Sequence, residues 1–189
     1  MSRAGQQEED KVPSVIVLPR RTLVVLCGPA GSGKSTFAGR LIETHKDKGF
    51  KATMIVSSDY CRALVSDDET NQQVNRDTFD LFHYIIHKRM FQQRFTIADS
   101  TALQPDARRR LLDVAQRHYY QTCLLVFNIS LETCRQRDQA RERMVGEQVI
   151  VYHMGLLQRT LRDIANEGWG QIHILGEQDM DLDIEISAN

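Results

Sequence analysis

The segment from Gly28 to Ser35, GPAGSGKS, constrains what this chain can fold into more than any other stretch. It fits the pattern G-x-x-x-x-G-K-[ST], which is the phosphate-binding P-loop. The continuously apolar run 22–27 precedes it and predicts a short buried strand, while residues 34–48 have the spacing of an amphipathic helix. Strand, glycine-rich turn and helix together form the context in which this pattern indicates a nucleotide site.

Each residue type in this loop suits the binding of a polyphosphate. The glycines let the backbone curl, so that successive N–H groups and the helix N-terminus point at the phosphates. Lys34 is predicted to reach the β- and γ-phosphates, and the Ser35 hydroxyl is predicted to ligate Mg²⁺ or Mn²⁺. The predicted ATP-binding residues are Gly28, Pro29, Ala30, Gly31, Ser32, Gly33, Lys34, Ser35 and Thr36.

The composition is that of one globular domain with a sizeable core. The chain has 189 residues, of which 41% are hydrophobic and 26% charged. We expect residues 1–12, which are polar and acidic, to form a disordered tail, and residues 13–189 to form the domain. No apolar run reaches the ~20 residues that cross a membrane, and the N-terminus does not read as a signal or transit peptide. A cytoplasmic location without a membrane partner is therefore the default expectation.

The net charge of −1 gives no global basic field that would indicate nucleic-acid binding. Positive charge is concentrated locally at 108–110 and at 135–143, and composition alone does not decide whether either group meets a polyanion. The four cysteines show neither C-x-x-C pairing nor zinc spacing, so reduced and buried thiols are expected. His83 and His87 could share a metal by their spacing, but no third ligand follows a metal-site pattern.

Strands and helices are predicted to alternate from Val15 onward, which is typical of βαβ units in an α/β fold with a parallel sheet. The acidic and apolar alternation at 181–186 predicts either an additional edge strand or a segment that leads into a further part of a longer protein. The predicted strands are 22–27, 52–57, 95–99, 123–129 and 171–175, and the predicted helices are 34–48, 77–93, 104–120, 131–140 and 147–167.

Polar residues directly after the predicted strands are the first candidates for chemistry, because open parallel sheets bind ligands at the carboxyl ends of their strands. Asp59 follows the second predicted strand, and Arg62 comes one helical turn later. A carboxylate here can orient an attacking hydroxyl and take its proton, while the arginine grips an acceptor phosphate or steadies the aspartate. The alternative is an N-cap aspartate with an ordinary surface ion pair.

Two further groups carry two interpretations each. Asp99 ends the third predicted strand and either holds the magnesium through water or caps the following turn. Arg137, Arg141 and Arg143 lie at the end of a predicted helix that runs into the flexible joint 144–146. On a mobile lid these arginines would neutralise charge on the γ-phosphoryl oxygens, and otherwise they form a solvated helix face.

These residues together resemble the kinase domain of the bacterial polynucleotide kinase–phosphatases, which are RNA-repair enzymes. The resemblance extends from about Val15 to Leu175. It is carried by SSDYCR at 57–62, LVSDDE at 64–69, FD at 79–80, HYI at 83–85, VFN at 126–128 and the arginines at 137 and 141.

The resemblance implies a P-loop kinase fold with a parallel sheet flanked by helices and a mobile, arginine-bearing lid. It implies ATP- and Mg²⁺-dependent transfer of the γ-phosphate to the 5′-OH end of RNA or DNA. In this interpretation Asp59 is the general base and Arg62 holds the phosphate next to the reacting hydroxyl. Lys34 and Ser35 bind the phosphates and Mg²⁺, Arg137 and Arg141 are lid residues, and Gln72 and Thr101 lie on the acceptor side.

Two departures from the family pattern are visible. Residues 99–102 read DSTA where relatives often read D-x-T-N, and the lid is one residue shorter after Arg141, which leaves the register of Arg143 open. Relatives continue into phosphatase and ligase-like domains and act with an RNA methyltransferase, so a longer parent chain and such a partner are implied. Two other functions remain open: a P-loop kinase of a small metabolite, nucleoside or sugar, and a nucleotide-binding regulatory module without phosphotransfer.

Overall fold

The centre of the structure, a computed structural model that describes residues 14–141 and 144–187, is a five-stranded parallel sheet. The tail predicted at 1–12 and the lid residue Arg143 lie outside the described residues. The strands are β1 (Val15–Pro19), β2 (Thr22–Cys27), β3 (Ile55–Ser57), β4 (Thr96–Asp99), β5 (Gln121–Phe127), β6 (Gln171–Leu175) and β7 (Asp183–Ser187). The central sheet has the order β3-β4-β2-β5-β6, so the strand before the P-loop is in the middle.

Helices cover both faces of this sheet, as the alternating pattern predicts. They are α1 (Lys34–Thr44), α2 (Ser58–Ser66), α3 (Asn75–Phe91), α4 (Pro105–Arg117), α5 (Leu131–Gln139) and α6 (Glu147–Asp163). Alternate residues of β2 enter two cores: Leu23 and Val25 pack with α3 and α4, while Val24 and Leu26 pack with α1. No helix in the described ranges is both long and apolar enough to span a membrane.

Several predicted boundaries are wrong by a few residues. Residues 52–54 form a 3₁₀ turn, so β3 begins only at Ile55, and α6 passes into a 3₁₀ turn after Asp163. Helix α1 ends at Thr44 rather than at residue 48, because the chain reverses in a turn that closes at Gly49, whose φ is +87°. Helix α2, which carries Asp59 and Arg62, is absent from the predicted helices.

The strand expected at 181–186 exists but belongs to a second sheet. β7 pairs in parallel with β1, a strand that the sequence did not predict, and the two form a separate two-stranded sheet. Ile16 and Ile184 pair in this register and are buried against the core under α1. The His45 Nε2 atom lies 2.6 Å from the Asp183 carboxylate, which links the end of α1 to β7.

Candidate active site

The P-loop connects β2 to α1 at the carboxyl edge of the central sheet, as predicted. Gly31 and Gly33 have φ of +78° and +94°, the left-handed region that residues with a side chain rarely adopt. A Cβ on Gly31 would lie 2.4 Å from the carbonyl oxygen of Cys134, so α5 packs directly on the loop. The left-handed Gly33 then directs the chain into α1.

The Lys34 ammonium lies inside the loop rather than in solvent. Its Nζ atom donates to the carbonyl oxygens of Gly28 at 2.9 Å and Pro29 at 2.7 Å. Burial lowers the pKa of Lys34, and the Asp99 carboxylate acts in the opposite direction. The loop's own carbonyls therefore hold the cation at the position where this motif receives a polyphosphate.

Asp99 ends β4 as a buried carboxylate close to the P-loop. Burial raises the pKa of Asp99, while the Ser35 side chain, through a hydrogen bond, and Lys34 lower it. A hydroxyl and a carboxylate are oxygen donors of the kind that Mg²⁺ prefers, so Ser35 and Asp99 fit the predicted metal position. Within residues 14–141 and 144–187, no group of three or more His, Cys, Asp or Glu side chains could hold a metal ion by itself.

In the described part of the chain, no third side chain of the metal-ligating types joins His83 and His87 in one group. The His83 ring packs against the rings of Phe79 and Phe82, with centroids 6.4 and 5.4 Å away. Burial lowers the pKa of His83 to about 4. This histidine is half-buried against aromatic side chains of its own helix.

Asp59 and Arg62 form an ion pair in the first turn of α2, next to the P-loop edge of the sheet. Arg62 Nη1 lies 2.6 Å from Asp59 Oδ1, and the exposed fractions of the two side chains are 6% and 67%. The helix is capped by the Ser57 hydroxyl, which accepts from the Tyr60 N–H, so the N-cap role considered for Asp59 is wrong. The arginine is thus fixed in the protein and the carboxylate faces solvent.

Arg62 is also the link to the predicted acceptor residue Gln72. Its Nη2 donates to Asn75 Oδ1 at 3.1 Å, and Asn75 Nδ2 donates to Gln72 Oε1 at 3.1 Å. Thr101, the other predicted acceptor residue, lies in the turn after β4. Its carbonyl oxygen accepts from the Gly28 N–H at 2.9 Å, so this turn is attached to the start of the P-loop.

The structure places the two predicted lid arginines differently. Arg137 Nη1 donates to the Ser32 carbonyl oxygen at 3.1 Å, which brings α5 onto the P-loop. Arg141 is exposed and lines a cavity of about 500 Å³ together with Arg40 and Arg137. The predicted joint at 144–146 is anchored at one end, because the buried Asp138 carboxylate accepts from the N–H groups of Val145 and Gly146 at 2.9 and 3.0 Å.

Sequence reasoning missed two residues of this region. The His153 Nδ1 atom on α6 accepts from the Ala30 N–H of the P-loop at 3.3 Å, and burial, followed by Lys34, lowers the pKa of His153. Arg108 is fully buried and donates to the carbonyl oxygens of Ala102 and Leu103 in the turn after Thr101. This member of the 108–110 group therefore binds the protein's own backbone and does not face a polyanion. A lone histidine and a run of arginines carry no sequence signal for such contacts, which join residues 123 positions apart in the first case.

Comparison with known proteins supports the fold that this site belongs to. The Pnkp1/Rnl/Hen1 RNA repair complex contains a chain with TM-score 0.64 and 20% identity, covering 78% of this chain and 47% of that one. A chain of the AvrRxo1-ORF1:-ORF2 complex has TM-score 0.61 and 17% identity, with coverages of 83% and 55%. This protein therefore spans about half the length of these two chains.

A small-molecule kinase shares the fold over nearly its whole length. The Mycobacterium tuberculosis APS kinase CysC, solved with AMPPNP and APS, has TM-score 0.53 and 17% identity, covering 84% of this chain and 90% of that one. No curated protein shows significant sequence similarity to this chain. Residues 23–162 match the AAA_33 family, described as an AAA domain. The chain belongs to this family of P-loop kinase-like domains, whose fold implies ATP binding.

Proposed function

We propose that this protein is an ATP- and Mg²⁺-dependent polynucleotide 5′-hydroxyl kinase that acts on RNA or DNA ends. The observation that carries the proposal is the Asp59–Arg62 pair, with its 2.6 Å contact, at the sheet edge that also holds the P-loop. A solvent-facing carboxylate beside a fixed guanidinium suits an acceptor that presents a hydroxyl and a neighbouring phosphate. The resemblance of 57–69 to the polynucleotide kinase–phosphatases supports the same acceptor.

The reaction is an in-line displacement at the γ-phosphorus. The terminal 5′-oxygen forms a bond to phosphorus while the bond from phosphorus to the β–γ bridging oxygen breaks. The hydroxyl proton passes to the Asp59 carboxylate, and ADP leaves with the bridging oxygen. Asp59 Oδ1 accepts a hydrogen bond from Arg62 Nη1 at 2.6 Å, so the fixed guanidinium orients the carboxylate that would accept this proton.

Charge stabilisation in this scheme comes from cations around the P-loop. Lys34 leaves its carbonyl partners to contact the β- and γ-phosphates, and Arg137 and Arg141 approach the γ-phosphoryl oxygens from the end of α5. Ser35, with Asp99 through water, is the group that would hold Mg²⁺, and the ion would supply positive charge to the phosphate oxygens during transfer. The movement of Arg137 and Arg141 as lid residues, about the joint at 144–146, is part of this proposal.

The acceptor strand would enter between α2 and the turn after β4. Arg62 would hold the phosphate that follows the reacting nucleotide, and the Asn75–Gln72 chain keeps its guanidinium in place. Thr101, whose carbonyl oxygen accepts from the Gly28 N–H, would contact the acceptor from the turn after β4. Phosphatase, ligase-like and methyltransferase partners, which the family resemblance implies, remain predictions.

The decisive experiment measures transfer of labelled γ-phosphate from ATP to a short 5′-OH RNA, with and without Mg²⁺. We expect Asp59→Asn to lower kcat by at least about 100-fold with ATP binding nearly unchanged, because the loss of a general base affects only the chemical step. Asp113→Asn, an exposed carboxylate on α4, is the matched control and should retain full activity. Wild-type activity in Asp59→Asn would rule out the proposed base.

The fold similarity to an APS kinase over most of that chain favours a small-molecule acceptor as the second candidate. Acceptors of increasing length separate the two functions. A nucleoside or other single-unit acceptor that is phosphorylated as well as a 5′-OH hexanucleotide would favour the small-molecule kinase. ATP binding without acceptor-dependent ATP consumption would instead favour a regulatory module.

A further inference from the structure

A second cavity lies near the amino ends of the strands of the central sheet, whereas the P-loop lies at their carboxyl ends. Its volume is about 650 Å³, which is within the range of sites that hold a nucleotide-sized ligand. It opens beside the segment that leads into β3, the segment that leads into β4, and the last residues of β7. Because the six residues of β2 rise about 3.3 Å each, the cavity is about 20 Å from the P-loop. The proposed phosphoryl transfer does not use it.

The side chains that line this cavity are strongly cationic. Among residues 14–141 and 144–187, no aspartate or glutamate lines it, although the whole chain carries a net charge of −1. Like charges around one cavity repel each other, and an anion placed among them would relieve that repulsion. The lining cations are Arg20, Lys48, Lys51, Arg89 and Arg94.

Three of these cations are available to a ligand. Lys48 lies 3.3 Å from Glu185, and Arg89 donates to the Phe95 carbonyl oxygen and to Thr96 Oγ1. The other three cations are Arg20, Lys51 and Arg94, and all three are exposed. None of them takes part in an ion pair found in residues 14–141 and 144–187.

The floor of the cavity is apolar. Phe50 and Phe95 are buried beneath it, with ring centroids 6.2 Å apart, and Met54 and Ile186 are partly exposed beside them. An inorganic anion would use only the cationic rim. A ligand with a phosphate at one end and a flat, weakly polar body would use both the rim and the floor.

We propose that this cavity binds a nucleotide unit, with its phosphate against Lys51 and Arg94 and its sugar or base over the apolar floor. The nucleotide belongs either to a free mononucleotide or to a strand away from its end. This site is independent of the proposed 5′-OH kinase site, because the two lie at opposite ends of the strands of the sheet.

The experiment uses a circular twelve-nucleotide RNA, which has no end and cannot present a 5′-OH to the kinase site. Its affinity is measured by fluorescence anisotropy from an internal label, and UMP binding is measured by calorimetry. The test variant is Lys51→Gln/Arg94→Gln. The control is Arg109→Gln/Arg162→Gln, which removes the same charge from exposed positions that line neither cavity.

We expect the test variant to bind the circular RNA roughly tenfold more weakly at low salt, and the control to change by less than about twofold. The slope of log K against log salt should fall by about 0.7, since Lys51 and Arg94 contact one phosphate and each lost single-strand phosphate contact accounts for about 0.7. If the test variant loses affinity for the circular RNA alone, the ligand is a strand. If it loses affinity for UMP, the ligand is a free nucleotide. Equal effects of the two variants, or equally tight binding of a polyglutamate peptide, would overturn the proposal.

Discussion

Arg108 shows how a single buried charge organises the turn beside the candidate site. Its Nε and Nη2 atoms donate to the Glu167 carboxylate, and its Nη1 donates to Ala102 O, Leu103 O and Thr160 Oγ1. Burial alone would raise the pKa of Glu167, but hydrogen bonds from Arg108 and Trp169 lower it. Ala102 has φ of +47°, so the turn that Arg108 holds is also strained.

Replacing Arg108 should therefore cost much stability. We expect Arg108→Met to lower the free energy of unfolding by about 3–5 kcal/mol, because it leaves a partly buried carboxylate unpaired. Arg109→Met, at the exposed neighbouring position, should change it by less than about 0.5 kcal/mol. Urea unfolding measures both. The double variant Arg108→Met/Glu167→Gln should recover part of the loss, and a double variant no more stable than the single one would contradict this explanation.

The site residues that could be predicted from the sequence are those whose roles follow from the spacing of residues that lie close together in the chain. Gly28 to Ser35 and the Asp59–Arg62 pair, one helical turn apart, are of this kind. The contacts of Arg108 and His153 with the turn and the P-loop could not be predicted, because they depend on how distant segments meet. In the sequence, the three arginines at 108–110 have the pattern of a solvated helix face. Only the fold shows that Arg108 is buried while the other two are exposed.

Helix α5 and the P-loop act as one element because of Gly31. The loop approaches α5 so closely that a Cβ on Gly31 would lie 2.4 Å from Cys134 O. Arg137, less than one turn further along α5, donates to Ser32 O in the same loop. Any side chain at residue 31 must therefore move α5, and with it the arginines proposed to contact the triphosphate.

Gly31→Ala should weaken ATP binding by at least about tenfold and destabilise the fold by about 1–3 kcal/mol, since the backbone there is left-handed and the helix must shift. Gly39→Ala provides the control. Gly39 lies inside α1 with nothing within 4 Å of its added Cβ, so alanine should stabilise the helix by about 0.5–1 kcal/mol. Calorimetric titration with ATP separates the two variants. Unchanged affinity in Gly31→Ala would mean that α5 does not shape the loop.

Two strands, β2 and β6, have the predicted bounds. β2 is a continuous apolar run that is buried throughout, whereas β6 is an edge strand of alternating character, so a short strand-forming run is enough to locate a strand without showing its place in the sheet. β1 and β7 could not be assigned to a separate sheet, because pairing between residues as far apart as Val15 and Asp183 leaves no local pattern. Helix ends are less certain still, as the turn after α1 is fixed by the His45–Asp183 contact.

At the scale of the whole molecule, protonation of His83 makes the free energy of unfolding depend on pH. His83 lies on α3, where the rings of Phe79 and Phe82 pack against it. Arg110 on α4 acts on it through its charge. Burial, assisted by the charge of Arg110 and opposed by Asp80, lowers the pKa of His83 from 6.5 to about 4. The folded protein therefore keeps this imidazole neutral at a pH where the unfolded chain protonates it.

The sign of the resulting pH dependence follows from these two pKa values. Above pH 6.5 both states are neutral and stability is unaffected, whereas below it only the unfolded chain binds a proton until the pH reaches about 4. The free energy of unfolding should thus fall by about 1–3 kcal/mol over this interval through His83, the lower figure allowing for solvent screening of this half-buried ring. His83→Gln should remove most of that decrease, while His87→Gln, at an exposed position on the same helix, should retain it. Urea unfolding of the three proteins at pH 7, 5.5 and 4.5 measures the difference. Parallel pH curves for wild type and His83→Gln would assign the acid sensitivity to other groups.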